Sequence, residues 1–113
     1  MFKNIFAGKK VLITGHTGFK GSWLTSWLLK MNANVCGISD KIPTDPSMFV
    51  ELGLESKIDH QLCDIRDLDK LKEKVAFFAP DFLFHLAAQP IVSDSYDDPI
   101  KTISTNVNGT ANI

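Results

Sequence analysis

The sequence predicts an α/β fold built on a doubly wound parallel sheet, of which these 113 residues supply the N-terminal part. Three observations carry that reading. Short apolar runs alternate with stretches of helical period; the first run turns into the first helix through three glycines; and each run ends in small or polar residues.

Met1 to Lys10 reads as a short amphipathic lead in which Phe2, Ile5 and Phe6 pack on one side, and Gly8 resets the chain. Val11 to Thr14 is the first strand, apolar on both faces as a central parallel strand covered by helices must be. From Gly18 to about Met31 the period becomes helical, with Leu24, Trp27, Leu28 and Met31 three and four residues apart. Trp23 lies beside that stripe, and both tryptophans are expected in the core. Asn32 closes the helix, and Val35 to Ile38 forms the second strand, ending in Ser39-Asp40-Lys41. Pro43 to Ser47 is turn chemistry, with Ser47 able to cap a short helix through Leu52. Ile58 to Cys63 is the third strand, followed by Asp64. Asp67 starts a helix with Leu68, Leu71, Val75 and Phe78 on one face, and Pro80 ends it. Phe82 to Leu86 is the fourth strand. A polar loop from Gln89 to Pro99 leads into a helix in which Ile103, Val107 and Thr110 share a face.

The turn between the first strand and first helix, Gly15-His16-Thr17-Gly18-Phe19-Lys20-Gly21, carries the chemistry. A strand that turns sharply into a helix presents unpaired N–H groups and partial positive charge to an anion above the turn. A pyrophosphate fits that description. Gly15 serves the tight turn, Gly18 the approach of backbone to phosphate, and Gly21 the contact of helix with strand. The spacing, Gly-x-x-Gly-x-x-Gly, differs by one residue from the Gly-x-Gly-x-x-Gly form. About 20 residues on, Asp40 at the end of the second strand is placed to bond an adenosine ribose, which favours NAD over NADP, with Lys41 beside it as the residue that could tolerate a 2′-phosphate. Strand ends at Gly15, Ser39-Asp40, Asp64-Ile65 and Ala87-Ala88 all fall on one rim, where ligands of such sheets bind.

Composition bounds the alternatives. A 44% hydrophobic content suits an ordinary globular domain, and twelve basic against thirteen acidic residues give no electrostatic argument for nucleic acid or an anionic membrane. Neither partner is expected. Cys36 and Cys63 sit in apolar runs without metal-site or redox spacing and read as buried thiols. No apolar run approaches the roughly 20 residues of a membrane span, and no cleavable leader is evident, so a cytoplasmic location is expected.

Together, Thr14 to Leu24, Asp64-Ile65-Arg66-Asp67, His85-Leu86-Ala87-Ala88-Gln89-Pro90 and Thr105 to Thr110 resemble the extended short-chain dehydrogenases/reductases. His16 to Trp23, Pro43 to Phe49 and the His-Leu-Ala-Ala-Gln-Pro string narrow the resemblance to their CDP-glucose 4,6-dehydratase branch. It covers essentially the whole chain and implies the N-terminal portion of an NAD-binding, Rossmann-like domain over residues 1–113. It also implies cofactor contacts from Gly15, Thr17, Gly18, Phe19, Lys20 and Gly21 at the pyrophosphate and from Asp64 and Ile65 at the adenine. Leu86, Ala87 and Ala88 would line the nicotinamide half, and Asn106 would either tie the strand ends together or touch the cofactor.

The same resemblance implies a nucleotide-sugar substrate, CDP-glucose being favoured, and a homo-oligomer at full length. The reaction oxidises sugar C4 by hydride transfer to NAD, eliminates water across C5 and C6, and returns the hydride to C6. Ser93-Asp94 departs from the pattern, which carries a basic residue there. The Tyr-x-x-x-Lys pair that deprotonates the sugar hydroxyl in such enzymes is absent, because the single tyrosine, Tyr96, is followed four residues later by Ile100. No catalytic residue is therefore expected within these residues, and the chain reads as an inactive N-terminal fragment. Two other readings stay open: a sister dehydratase or epimerase on the same scaffold, and a non-catalytic nucleotide-binding module.

Overall fold

The computed structural model describes all 113 residues. Four strands, β1 (Lys10–Thr14), β2 (Asn34–Ser39), β3 (Asp59–Leu62) and β4 (Phe82–His85), form one sheet in the order β3-β2-β1-β4. All pairings are parallel, with Thr14 opposite both Ile38 and His85, and Ser39 opposite Leu62. The carboxyl ends of all four strands therefore share one edge of the sheet.

Side chains alternate across β1 and sort the core into two layers. Val11 and Ile13 face α1 (Phe19–Lys30) and pack with Leu28, Ala33 and Val35. Leu12 faces the other way and packs with Cys36, Ile38, Cys63, Ile65 and Leu71, the last from a helix on the opposite face, and Val75, Phe78 and Ile113 close this layer. A short helix, α2 (Met48–Glu51), is capped by Ser47, whose hydroxyl accepts the Val50 N–H at 3.2 Å, and the opposite-face helix, α3 (Leu68–Phe78), by Asp67, which accepts from Lys70. After α1, Met31 ends the helix and Asn32 turns left-handed at φ +60°, as its amide side chain tolerates. Both cysteines are buried free thiols, and burial pushes the Cys36 thiol up to about 12. No helix is long and apolar enough to cross a membrane.

Three expectations are corrected. Trp23 and Trp27 are not core residues; they are 59% and 45% exposed. The buried face of α1 is Gly21, Ser22, Thr25 and Leu28, because small side chains let the helix sit close to the sheet and leave the bulky indoles outside. Trp27 instead meets the N-terminal segment, stacking edge-on with Phe2 at 5.6 Å. The expected loop after β4 contains a helix, α4 (Val92–Asp97), followed by α5 (Pro99–Ile103), a π-helical turn at Ser104–Asn108 and α6 (Gly109–Asn112). Along this last run Ile103, Val107 and Thr110 are exposed. The inward positions are Thr102, Asn106, Gly109 and Ile113, spaced four, three and four, with Gly109 buried against Ile65. A Cβ at Gly109 would lie 2.7 Å from Ile65 Cγ1, so close packing chose this face over the apolar one.

Candidate functional site

The glycine turn is fixed from both sides by the sheet. Gly15 adopts φ +77°, a left-handed backbone that glycine alone takes freely, and donates its N–H to the Ile38 carbonyl at 2.8 Å. A Cβ there would sit 2.7 Å from Ala87 N and 2.8 Å from Leu86 C, so the end of β1 lies directly against the segment after β4. A Cβ at Gly21 would fall 2.6 Å from His16 Cα and collide with the Gly15 carbonyl, so α1 starts in contact with the turn it leaves. Gly18 differs from both. It is extended, at φ −73° and ψ 171°, and its missing Cβ would meet nothing nearer than the Gly15 carbonyl oxygen at 3.5 Å. Space therefore opens at Gly18, over the helix end.

That helix end is left uncapped. Gly18 offers no capping side chain, and no acidic residue stands in the first turn of α1. The N–H groups of Phe19, Lys20 and Gly21 consequently have no intrahelical acceptor. Lys20 adds a cation where the helix dipole is already positive, a placement that costs about 0.3–1 kcal/mol unless an anion sits there. An uncapped N-terminus, a first-turn lysine and an open face at Gly18 suit a pyrophosphate. Phe19 and Lys20 are exposed beside it.

Thr17 joins this turn to the end of β2. Its N–H donates to Ser39 Oγ at 3.4 Å and its hydroxyl to the Lys41 carbonyl at 2.6 Å. Asp40, between these two partners, is exposed at the rim. After β3, the Asp64 carboxylate accepts from the Arg66 amide at 2.9 Å and pairs with its guanidinium, which holds the carboxyl below its ordinary range. The Ile65 side chain points into the core under Gly109, and its carbonyl accepts from Asn112 at 2.9 Å. Only its backbone N–H remains to meet a ligand.

The segment after β4 is held by Asn106, one of whose two expected roles is such a tie, and by Thr14 with His85, whose roles the sequence does not suggest. Thr14, fully buried, accepts the N–H groups of Leu86 and Ala87, each at 3.1 Å. With both lone pairs taken, its hydroxyl donates to His85 Nδ1 at 2.6 Å. The other ring nitrogen then carries the proton and donates to Thr110 at 2.9 Å, and Thr110 donates to the Asn106 carbonyl at 2.6 Å. Burial lowers the His85 pKa, in keeping with a chain that has no place for a second ring proton. Asn106 spends its whole amide on the Gln89 main chain, accepting its N–H at 2.7 Å and donating to its carbonyl at 3.1 Å. It is a tie between helix and loop, and with Thr14 it presents Leu86, Ala87 and Ala88 next to the glycine turn. Ser39 lies at the rim as expected, but its bond to the Thr17 N–H is not evident in the sequence, and Asn112 and His60 carry no sequence signal beyond being polar.

A four-stranded parallel sheet with helices on both faces, whose first strand turns through glycines onto an open helix end, defines a Rossmann-like domain. Residues 12–113 match the sequence model of the GDP-mannose 4,6 dehydratase family, and the chain belongs to that family. It is 50% identical over 111 residues to a CDP-glucose 4,6-dehydratase of Salmonella typhimurium, covering 98% of this chain and 31% of that protein. A UDP-glucose 4-epimerase of Mycoplasma genitalium is 34% identical over 110 residues, covering 96% and 32%. Among solved structures, the Thermus thermophilus UDP-glucose 4-epimerase in complex with NAD superposes with a TM-score of 0.80 at 26% identity, over 91% of this chain and 32% of that one. The chain thus spans about a third of the length of the relatives it matches.

Proposed function

We propose that residues 1–113 form the N-terminal portion of the NAD-binding domain of a cytoplasmic nucleotide-sugar 4,6-dehydratase that acts on CDP-glucose. The observation that carries the cofactor reading is the uncapped N-terminus of α1 at the strand rim, opened by Gly18 and set by Gly15 and Gly21. The amides of Phe19, Lys20 and Gly21, with the Lys20 ammonium, bind the pyrophosphate. Asp40 accepts from the adenosine ribose, and the Asp64 carboxylate and Ile65 N–H meet the adenine edge as acceptor and donor. Leu86, Ala87 and Ala88 offer small or apolar surface to the nicotinamide half, and Asn106 positions their loop. NAD supplies a hydride acceptor and donor for the sugar. The residues here bind and orient; the groups that move protons lie outside them.

Preference for CDP-glucose within this family rests on the 50% identity to the Salmonella enzyme. The test is to offer CDP-glucose, GDP-mannose, dTDP-glucose and UDP-glucose, each with NAD, to the full-length protein and follow the sugar nucleotide by mass spectrometry. Loss of one water from CDP-glucose in preference to the others is expected. A product of unchanged mass that separates chromatographically from the substrate makes the protein an epimerase, and preferential dehydration of another substrate overturns the CDP-glucose assignment.

A further inference from the structure

His16, inside the glycine turn, is completely buried, and its side chain is not free to face a ligand. Its ring lies flat over Gly37 of β2, where any Cβ would come within 2.6 Å of Nδ1. Phe49 of α2 packs edge-on against it at 5.2 Å, and the ring of His60 on β3 packs at 4.9 Å. Both ring nitrogens have polar partners. Nδ1 lies 3.2 Å from Ser39 Oγ, the group that also receives the Thr17 N–H, and Nε2 lies 2.7 Å from His60 Nδ1. A hydrogen-bonded line therefore runs from the backbone of the glycine turn through Ser39 and His16 to a residue 44 positions away.

We propose that His60 is a positioning residue for the cofactor turn: through its 2.7 Å bond to His16 it holds the turn in the shape that receives the pyrophosphate. This rests on the NAD reading above. The His16 ring is the peg that fastens the turn to β2, and its far nitrogen is sealed from water, so His60 is the one group shown to satisfy it. Without that partner, a buried nitrogen is orphaned and the ring must turn toward water, carrying Ser39 and the Thr17 amide with it. Burial favours the uncharged His16 ring, whose pKa is down at about 4, so one of its two nitrogens stays unprotonated and needs a donor or an enclosed partner such as the His60 ring.

The test uses the full chain and two variants, His60→Asn and His60→Leu. Asparagine can place a polar atom near the position of His60 Nδ1; leucine keeps the bulk and removes the bond. By isothermal titration, H60L should bind NAD about tenfold more weakly and H60N within about threefold of wild type. Long-range nitrogen–proton spectra should show His16 as one neutral tautomer in wild type and H60N, and as an averaged pair of tautomers in H60L. Should H60L fail to fold, His60→Ala is measured the same way with the same expected loss. Wild-type affinity in the leucine or alanine variant, or a His16 tautomer unchanged by it, overturns the proposal alone. A wild-type protein that takes up no NAD overturns the cofactor reading and the proposal with it.

Discussion

Replacing Gly18 with alanine should separate folding from ligand capture. Gly18 sits at φ −73°, which alanine adopts without strain, and its new methyl would meet only the Gly15 carbonyl oxygen at 3.5 Å, an ordinary contact. Removing a glycine from the unfolded ensemble at a compatible position stabilises a protein by about 0.4–1 kcal/mol. The folded state should therefore be unchanged or slightly stabilised. That methyl would also stand in the open space over the amides of Phe19 to Gly21, where a phosphate must approach within hydrogen-bond distance. Loss of even one such charge-assisted bond is worth about 1.5–3 kcal/mol, or at least tenfold in affinity. Gly21→Ala is the control with the opposite signature. Its methyl would press on the main chain of Gly15 and His16, neither of which is a flexible end, and about 3 kcal/mol of stability should go. The assay pairs urea unfolding with isothermal titration of NAD on the full-length protein. Unchanged stability with NAD affinity within twofold of wild type for G18A would refute the assignment of the pyrophosphate to this turn.

Thr14→Val removes the acceptor of the Ala87 N–H and should cost about 1–3 kcal/mol in urea unfolding, while Thr14→Ser, which keeps the hydroxyl, should cost less than 1 kcal/mol. Acid should weaken the fold through His16. Above pH 6.5 its ring is neutral in both folded and unfolded chains and contributes no slope. Between 6.5 and about 4 the unfolded chain binds a proton that the buried ring refuses, so stability falls with falling pH, by about 3 kcal/mol in all. The lowered pKa of His85 acts in the same direction. Unfolding measured from pH 7 to 4 should show this slope in the wild type and a shallower one in His16→Asn.

The fold was legible where local chemistry decides it. Glycine spacing, strand runs and the caps at Ser47 and Asp67 are features of a few consecutive residues, and the structure places them within a residue or two of expectation. Faces were misread where packing distance decides. Leu24, Leu28 and Met31 of the expected stripe do pack on the sheet, but Gly21, Ser22 and Thr25 are the side chains that bring α1 nearest to it, so the bulky Trp27 and its neighbour Trp23 are turned outward. The last helix repeats the lesson, with Gly109 turned inward and Ile103 and Val107 outward. The site divided along the same line. The turn from Gly15 to Gly21 announces itself, whereas Thr14 with His85 and His16 with His60 join residues 71 and 44 positions apart. Nothing in a single sequence pairs them, because the sheet register alone brings them together.

The most direct test of the central claim is to titrate the full-length protein with NAD while following the backbone amide signals of Gly18, Phe19, Lys20 and Gly21. Those four should shift together and saturate with the binding curve, the pyrophosphate having replaced water at the end of α1. NAD that binds while these amides stay still, or that does not bind at all, would contradict the account.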